Sequence, residues 1–143
     1  MRDDAGEVSH YVGPFADITP LKEHEHELDR MAHFDALTGL PNRVLLEARL
    51  HQAMQQCRRN GTLLAVCYID LDGFKPVNDR LGHEAGDRVL VEMASRMAGT
   101  LRAGDTVARI GGDEFVVLLL GQEELAEAAP AVDRLLEVSC RAA

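Results

Sequence analysis

Residues 63–69, Leu-Leu-Ala-Val-Cys-Tyr-Ile, form an uninterrupted apolar run that stops on Asp70-Leu71-Asp72. Such a run is typical of a strand buried on both faces, which commits the chain to a sheet covered by helices. Asn60-Gly61 breaks the chain before it. After it, Val89, Leu90, Met93, Ala94, Met97 and Leu101 mark an amphipathic helix expected over about residues 87–101. Short strands follow at 107–110 and 115–120. Gly111-Gly112-Asp113 between them reads as a tight hairpin, because glycine supplies the positive φ that such turns require. A last helix is expected over about residues 123–138. The order strand, helix, strand, strand, helix is a ferredoxin-like βαββαβ pattern of the α+β class with its final strand missing. A sheet short of one strand exposes unpaired backbone and apolar surface, so the chain is expected to be truncated relative to its natural parent.

Upstream of that core, Thr38-Gly39-Leu40-Pro41-Asn42-Arg43 is turn chemistry. A helix is expected after it, over about residues 44–57, with Leu46, Leu50, Ala53 and Met54 on one face. Residues 21–34 are charged and carry Leu21, Leu28 and Met31 at coiled-coil spacing. Two heptads fit either a coiled coil or a solvated connector helix. Residues 1–20 are rich in Gly, Pro and Asp and too few to fold alone. Within them Tyr11-Val12-Gly13 and Phe15-Ala16-Asp17-Ile18-Thr19 read as the end of a strand.

With 143 residues the chain can form one domain with a real core. Its net charge of −9 argues against long nucleic acids, whose phosphates attract basic patches, but not against a single nucleotide that brings its own magnesium. No apolar run approaches the roughly 20 residues of a membrane helix, so no membrane contact is expected of this segment. Met1-Arg2-Asp3-Asp4 is unlike a signal peptide. Cys57, Cys67 and Cys140 are odd in number and lack metal-ligand or CxxC spacing. They read as thiols in a reducing compartment, the cytoplasm by default, although other segments of a parent could attach it to a membrane.

The residues that carry chemistry cluster around the acidic stop. Alternation along a strand puts Asp70 and Asp72 on one side. Acids leaving an apolar strand either open a polar loop or hold a hard cation. Asp113 and Glu114 lie in the hairpin turn, which in this topology runs beside the strand carrying Asp70. Carboxylates from two adjacent strands suit magnesium and phosphoryl transfer. The amides of Gly73-Phe74-Lys75, with the lysine, either hold phosphate oxygens or form a turn with a solvated Lys75. Asn78 and Asp87 can read a guanine edge, Asp87 accepting from its N–H groups and Asn78 donating to its carbonyl. Asp87 is also a natural N-cap for the helix it begins. His83 reads as a loop histidine or a ligand contact.

Together these residues resemble the GGDEF family of diguanylate cyclases. The signature stands as Gly111-Gly112-Asp113-Glu114-Phe115 after Arg109-Ile110. Residues 69–79, from Ile69-Asp70-Leu71-Asp72-Gly73-Phe74-Lys75 to Asn78-Asp79, look like the family's metal and phosphate segment. Gly82-His83-Glu84-Ala85-Gly86-Asp87 is similar to its Gly-His-x-x-Gly-Asp segment, and Asp35-Ala36-Leu37-Thr38-Gly39-Leu40-Pro41-Asn42-Arg43 to its N-terminal signature. The resemblance implies condensation of two GTP into cyclic di-GMP on a palm-like sheet, with magnesium (manganese as the alternative ion) held by Asp70, Asp113 and the Leu71 carbonyl. Asp113 and Glu114 would be catalytic, Glu114 as the base for the attacking 3′-hydroxyl. Asn78, His83 and Asp87 would contact the nucleoside, and Gly73, Phe74 and Lys75 the phosphates. Each domain would hold one GTP, so the product requires a homodimer about a two-fold axis.

Arg102-Ala103-Gly104-Asp105 matches the family's RxxD inhibitory motif for the product, and Asp17-Ile18-Thr19 with Lys22 looks like the exit of a PAS sensor domain. The expected organisation is therefore a PAS-like end at 1–20, a connector helix at 21–34 and an incomplete GGDEF domain at 35–143. The last core strand and a phosphate-gripping Lys/Arg segment are expected beyond it. Two other readings compete: a silent GTP-binding domain that controls a neighbouring phosphodiesterase domain, and a cyclic di-GMP receptor acting through Arg102 and Asp105.

Overall fold

Asn42 fastens the first helix to the second. Its side-chain oxygen accepts the Leu45 amide at 3.1 Å and caps α2 (Arg43–Asn60), while its side-chain nitrogen donates to the Ala32 carbonyl at 2.8 Å, in the last turn of α1 (Thr19–His33). Helix α2 ends at Gly61, whose φ of 67° is a left-handed conformation that glycine adopts at little cost. The computed structural model describes residues 13–140. Beyond α2 the order is β1 (Leu63–Asp70), α3 (Phe74–Leu81), α4 (His83–Thr100), β2 (Thr106–Gly111), β3 (Glu114–Gln122), a 3-10 turn (Leu125–Ala128) and α5 (Ala129–Cys140).

The three strands form one antiparallel sheet in the order β1-β3-β2. Alternation along β3 divides the core in two. Phe115, Val117 and Leu119 point to one side and pack with Leu90, Met93 and Met97 of α4 and Leu135 of α5. Val116 and Leu118 point to the other and pack with Ala108 and with Leu46 of α2. The expected α+β architecture, a small antiparallel sheet with helices on both faces, is what the chain forms.

Several local expectations change. The strand buried on both faces is the central β3, not β1. Ala65, Cys67 and Ile69 of β1 pack on the α4 side, but Val66 and Tyr68 are 48% and 75% exposed. The physical reason is position. Among the described residues β1 pairs along one edge only, and of its residues only Leu64 joins the cluster under α2.

The segment after Gly73, read as a phosphate loop or a turn, starts helix α3. Pro76 stands in the first turn, where its missing N–H interrupts no helical hydrogen bond. Helix α4 begins at His83 rather than Asp87, because Gly82 at φ 84° turns the chain there. Phe15, Ala16 and Asp17 form no strand; Asp17 Oδ1 accepts the Thr19 amide at 2.9 Å as the chain enters α1, and Tyr11 and Val12 lie outside the described residues. Helix α1 buries none of its residues, and Leu21, Leu28 and Met31 remain exposed. No helix among the described residues is long and apolar enough to cross a membrane.

Candidate active site

Sheet register brings the acidic segments together. Asp70, the last residue of β1, is the cross-strand partner of Glu114, the first residue of β3. One step further, the Leu71 amide donates to the Asp113 carbonyl at 3.3 Å. The ends of two neighbouring strands therefore carry Asp70, Asp113 and Glu114 side by side. Asp70 and Glu114 are exposed and Asp113 is half-buried. None of the side-chain hydrogen bonds or ion pairs of the described residues reaches these three carboxylates. Asp72 lies past the end of β1 in an exposed turn, so strand alternation does not fix its side.

Beside Asp70 lies a cavity of about 420 Å³, lined by Asp70, Asp72, Gly73 and Phe74 and by side chains of α4 and α5 that include Met93 and Leu136; Asp113, Glu114, Asn78 and Asp87 do not line it. Gly73, at φ 81°, turns the chain from β1 into α3. Phe74 is the first residue of that helix and Lys75, exposed, the second. The phosphate segment is thus a helix start as well as a loop, and the N–H groups at a helix start favour anions, although the Phe74 amide at present donates to the Leu71 carbonyl at 3.2 Å.

Asn78 and Asp87 stand where α3 meets α4. Asn78 is half-buried on α3 and lies against Gly86, the residue before Asp87. Asp87 is exposed inside α4, one turn after His83, and the two share a face of that helix. The N-cap expectation for Asp87 is overturned: the cap position is Gly82, and no side chain bonds there.

A second network, overlooked in the sequence, braces the signature turn. Arg109 Nε donates to the Gly112 carbonyl at 2.9 Å, and its NH1 donates to both Asp35 oxygens at 3.0 and 3.1 Å. Asp35 also accepts the Thr38 amide at 2.8 Å and the Thr38 hydroxyl at 2.7 Å. Burial pushes the Asp35 carboxyl up, but Thr38 and the Arg109 guanidinium together outweigh it and hold it below its ordinary value. The Arg109 amide donates to the Pro41 carbonyl at 3.0 Å. The junction of α1 and α2 is therefore tied directly to Gly112, next to Asp113. An arginine just before a Gly-Gly turn was the available signal, but only the fold reveals its partner 74 residues away.

Arg102 and Asp105 lie at the other end of β2 from the signature, a strand length of roughly 20 Å. Asp105 accepts the Arg102 amide and the Leu120 amide, each at 3.1 Å, while Arg102 is exposed. A separate cavity of about 360 Å³ opens there between Arg49 and Arg59 of α2 and Asp105.

The donor set at Asp70 fits magnesium. It offers hard oxygens from two carboxylates and the Leu71 carbonyl, whose present partner is the Phe74 amide at 3.2 Å. Magnesium binds through one or two carboxylates and completes its shell with water and substrate phosphate. No group of three or more His, Cys, Asp or Glu is placed to hold a metal ion among the described residues, so protein carboxylates alone do not complete the shell.

Residues 32–140 match the family model described as "Diguanylate cyclase, GGDEF domain". The chain is 49% identical over 119 residues to the bifunctional diguanylate cyclase/cyclic di-GMP phosphodiesterase MucR of Pseudomonas aeruginosa, covering 83% of this chain and 17% of that protein. It is 47% identical over 116 residues to diguanylate cyclase TpbB of the same species, covering 81% of this chain and 27% of that protein. The solved GGDEF domain of TpbB is similar with a TM-score of 0.71 at 49% identity, over 74% of this chain and 62% of that one. The coiled coil and GGDEF domain of DgcB from Caulobacter crescentus, solved in complex with c-di-GMP, is similar with a TM-score of 0.73 at 30% identity, over 82% of this chain and 61% of that one. The chain thus spans less than a third of the length of the two curated relatives. With its signature turn, acidic strand ends and sheet order accounted for, the chain belongs to the GGDEF family of diguanylate cyclase domains.

Proposed function

We propose that this chain is the GTP-binding part of a diguanylate cyclase that joins two GTP into cyclic di-GMP and releases two pyrophosphates. The observation that carries this reading is the register of Asp70 with Glu114, which brings Asp70, Asp113 and Glu114 to neighbouring strand ends with carboxylates unpartnered among the described residues. Magnesium would be held by Asp70, Asp113 and the Leu71 carbonyl, where it neutralises triphosphate charge. Gly73 and Phe74 bind phosphate oxygens through their amides and Lys75 adds its charge. Asn78 donates to the guanine carbonyl, Asp87 accepts from its N–H groups, and His83 contacts the nucleoside from the same face of α4.

Glu114 takes the proton from the 3′-hydroxyl of one GTP as that oxygen attacks the α-phosphorus of the other. The bond to the bridging oxygen breaks and pyrophosphate leaves with the electron pair. The exchange occurs twice, once in each direction, so two copies must face each other about a two-fold axis. Arg102 and Asp105 are assigned to product inhibition. The exposed Arg102 fork grips a phosphate or guanine, and the lone pairs left on Asp105 accept guanine N–H groups.

The test is incubation of the protein, in the longer multidomain form its relatives suggest, with GTP and Mg²⁺, followed by nucleotide chromatography. Cyclic di-GMP and pyrophosphate in a 1:2 ratio are expected from this stoichiometry. GTP that stays intact, while bound, would instead mark a silent regulatory domain.

A further inference from the structure

Gly86 lies inside α4, where glycine is among the poorest helix formers. Its backbone does not require glycine, since its φ is not positive. Its surroundings do. A Cβ on Gly86 would overlap Asn78 Oδ1 and lie 2.9 Å from Asn78 Cγ and 3.2 Å from Phe74 Cζ, both side chains of α3. Asn78 Oδ1 is itself buried and has no hydrogen-bond partner among the described residues. A buried oxygen without a donor opposes stability, so a fold that keeps one holds the amide there for another reason. The other end of the amide, Nδ2, is not among the buried orphaned atoms.

We propose that Gly86 is a positioning residue for purine selection. Its missing Cβ forms the notch that seats the Asn78 amide oxygen-inward between α3 and α4, which leaves Nδ2 outward as a donor. An outward donor pairs with the carbonyl oxygen of guanine and opposes the amino group that adenine carries at the same place. This inference rests on the reading of Asn78 as a guanine contact, but not on catalysis.

Nucleotide binding tests it with 3′-deoxy-GTP and 3′-deoxy-ATP, which lack the attacking hydroxyl, measured by calorimetry with Mg²⁺ on the whole protein. Gly86→Ala should weaken 3′-deoxy-GTP by about tenfold, the equivalent of one hydrogen bond to a seated donor, and should leave 3′-deoxy-ATP no weaker, so that discrimination between the purines falls. Asn78→Ser should do the same, and the double variant should be no weaker than either. Asn78→Ser should also restore the melting temperature that Gly86→Ala lowers, because the shorter side chain clears the added methyl. That rescue decides the matter even where Gly86→Ala alone folds poorly. Wild-type 3′-deoxy-GTP affinity in Gly86→Ala, additive losses in the double variant, or no thermal rescue would overturn the role of Gly86 while leaving the guanine contact in place. Unchanged affinity in Asn78→Ser would overturn the guanine contact and this inference with it.

Discussion

Asp35 and Asp105 differ from Asp70 and Asp113 in how much of each carboxylate the fold itself uses. Asp35 takes up Thr38 and Arg109, and Asp105 takes up two backbone amides that close the α4–β2 connection onto β3. Asp70 and Asp113 sit at adjacent strand ends, and their carboxylates accept nothing from the described residues. Buried or crowded acids need partners, and Asp35 and Asp105 have them. Acids whose lone pairs are already occupied hold the structure together. Acids left open at a strand end contribute little to the fold and are free for a cation.

That contrast predicts effects of opposite kinds. The largest belongs to the open pair: Asp70→Asn or Asp113→Asn should lower cyclic di-GMP synthesis by about a hundredfold or more, by loss of charge stabilisation in the transition state. Their melting temperatures should stay near that of the unaltered protein. A large thermal loss would place them with the structural acids.

The occupied pair should behave in reverse. Asp35→Ala should lower stability by about 2 kcal/mol, because it leaves Arg109 half-buried without its carboxylate. The effect depends on pH. Folded Asp35 titrates below its ordinary value of 3.8, so its contribution is fully present above that value and is lost as pH falls through the folded pKa. The stability gap between the unaltered protein and Asp35→Asn should hold constant above about pH 5 and close in stronger acid. Urea unfolding at several pH values measures it, and a gap that widens in acid would reverse the sign assigned here.

Smaller effects sharpen the comparison. Asp87→Ala should weaken 3′-deoxy-GTP by about tenfold, the equivalent of one lost charge-assisted hydrogen bond. Its melting temperature should be equal or slightly higher, since Asp87 caps nothing and alanine is the better helix former. Unchanged affinity would remove it from the base-reading set. Arg102→Ala should raise the cyclic di-GMP level that halts synthesis by a few-fold, about 1 kcal/mol of coupling, with the initial rate unchanged. Calorimetry with cyclic di-GMP checks the same contact, and equal binding by both proteins would cancel the inhibitory assignment.

Much of this was legible in the sequence because it depends on local chemistry. The hairpin needed Gly112 at φ 45°, the acids needed an apolar strand to stop, and alternation in β3 needed only its own residues. What escaped depends on neighbours distant in sequence. Residues 63–69 are as apolar as a central strand, yet their place at the edge leaves Val66 and Tyr68 open. The Asp87 cap looked sound because Asp is a natural N-cap residue, whereas the helix starts at His83 and runs through Gly86, which lies against Asn78. Arg109 looked like part of a signature, and only the long-range pairing with Asp35 shows that it ties the helix junction to the signature turn.

The central claim is that open carboxylates at two paired strand ends hold the metal on which nucleotide binding depends. Titration of 3′-deoxy-GTP into the whole protein with and without Mg²⁺ tests it most directly. Magnesium should tighten binding by at least about tenfold in the unaltered protein, and this gain should vanish in Asp70→Asn and Asp113→Asn but persist in Asp105→Asn. An equal magnesium gain in all four proteins would contradict it.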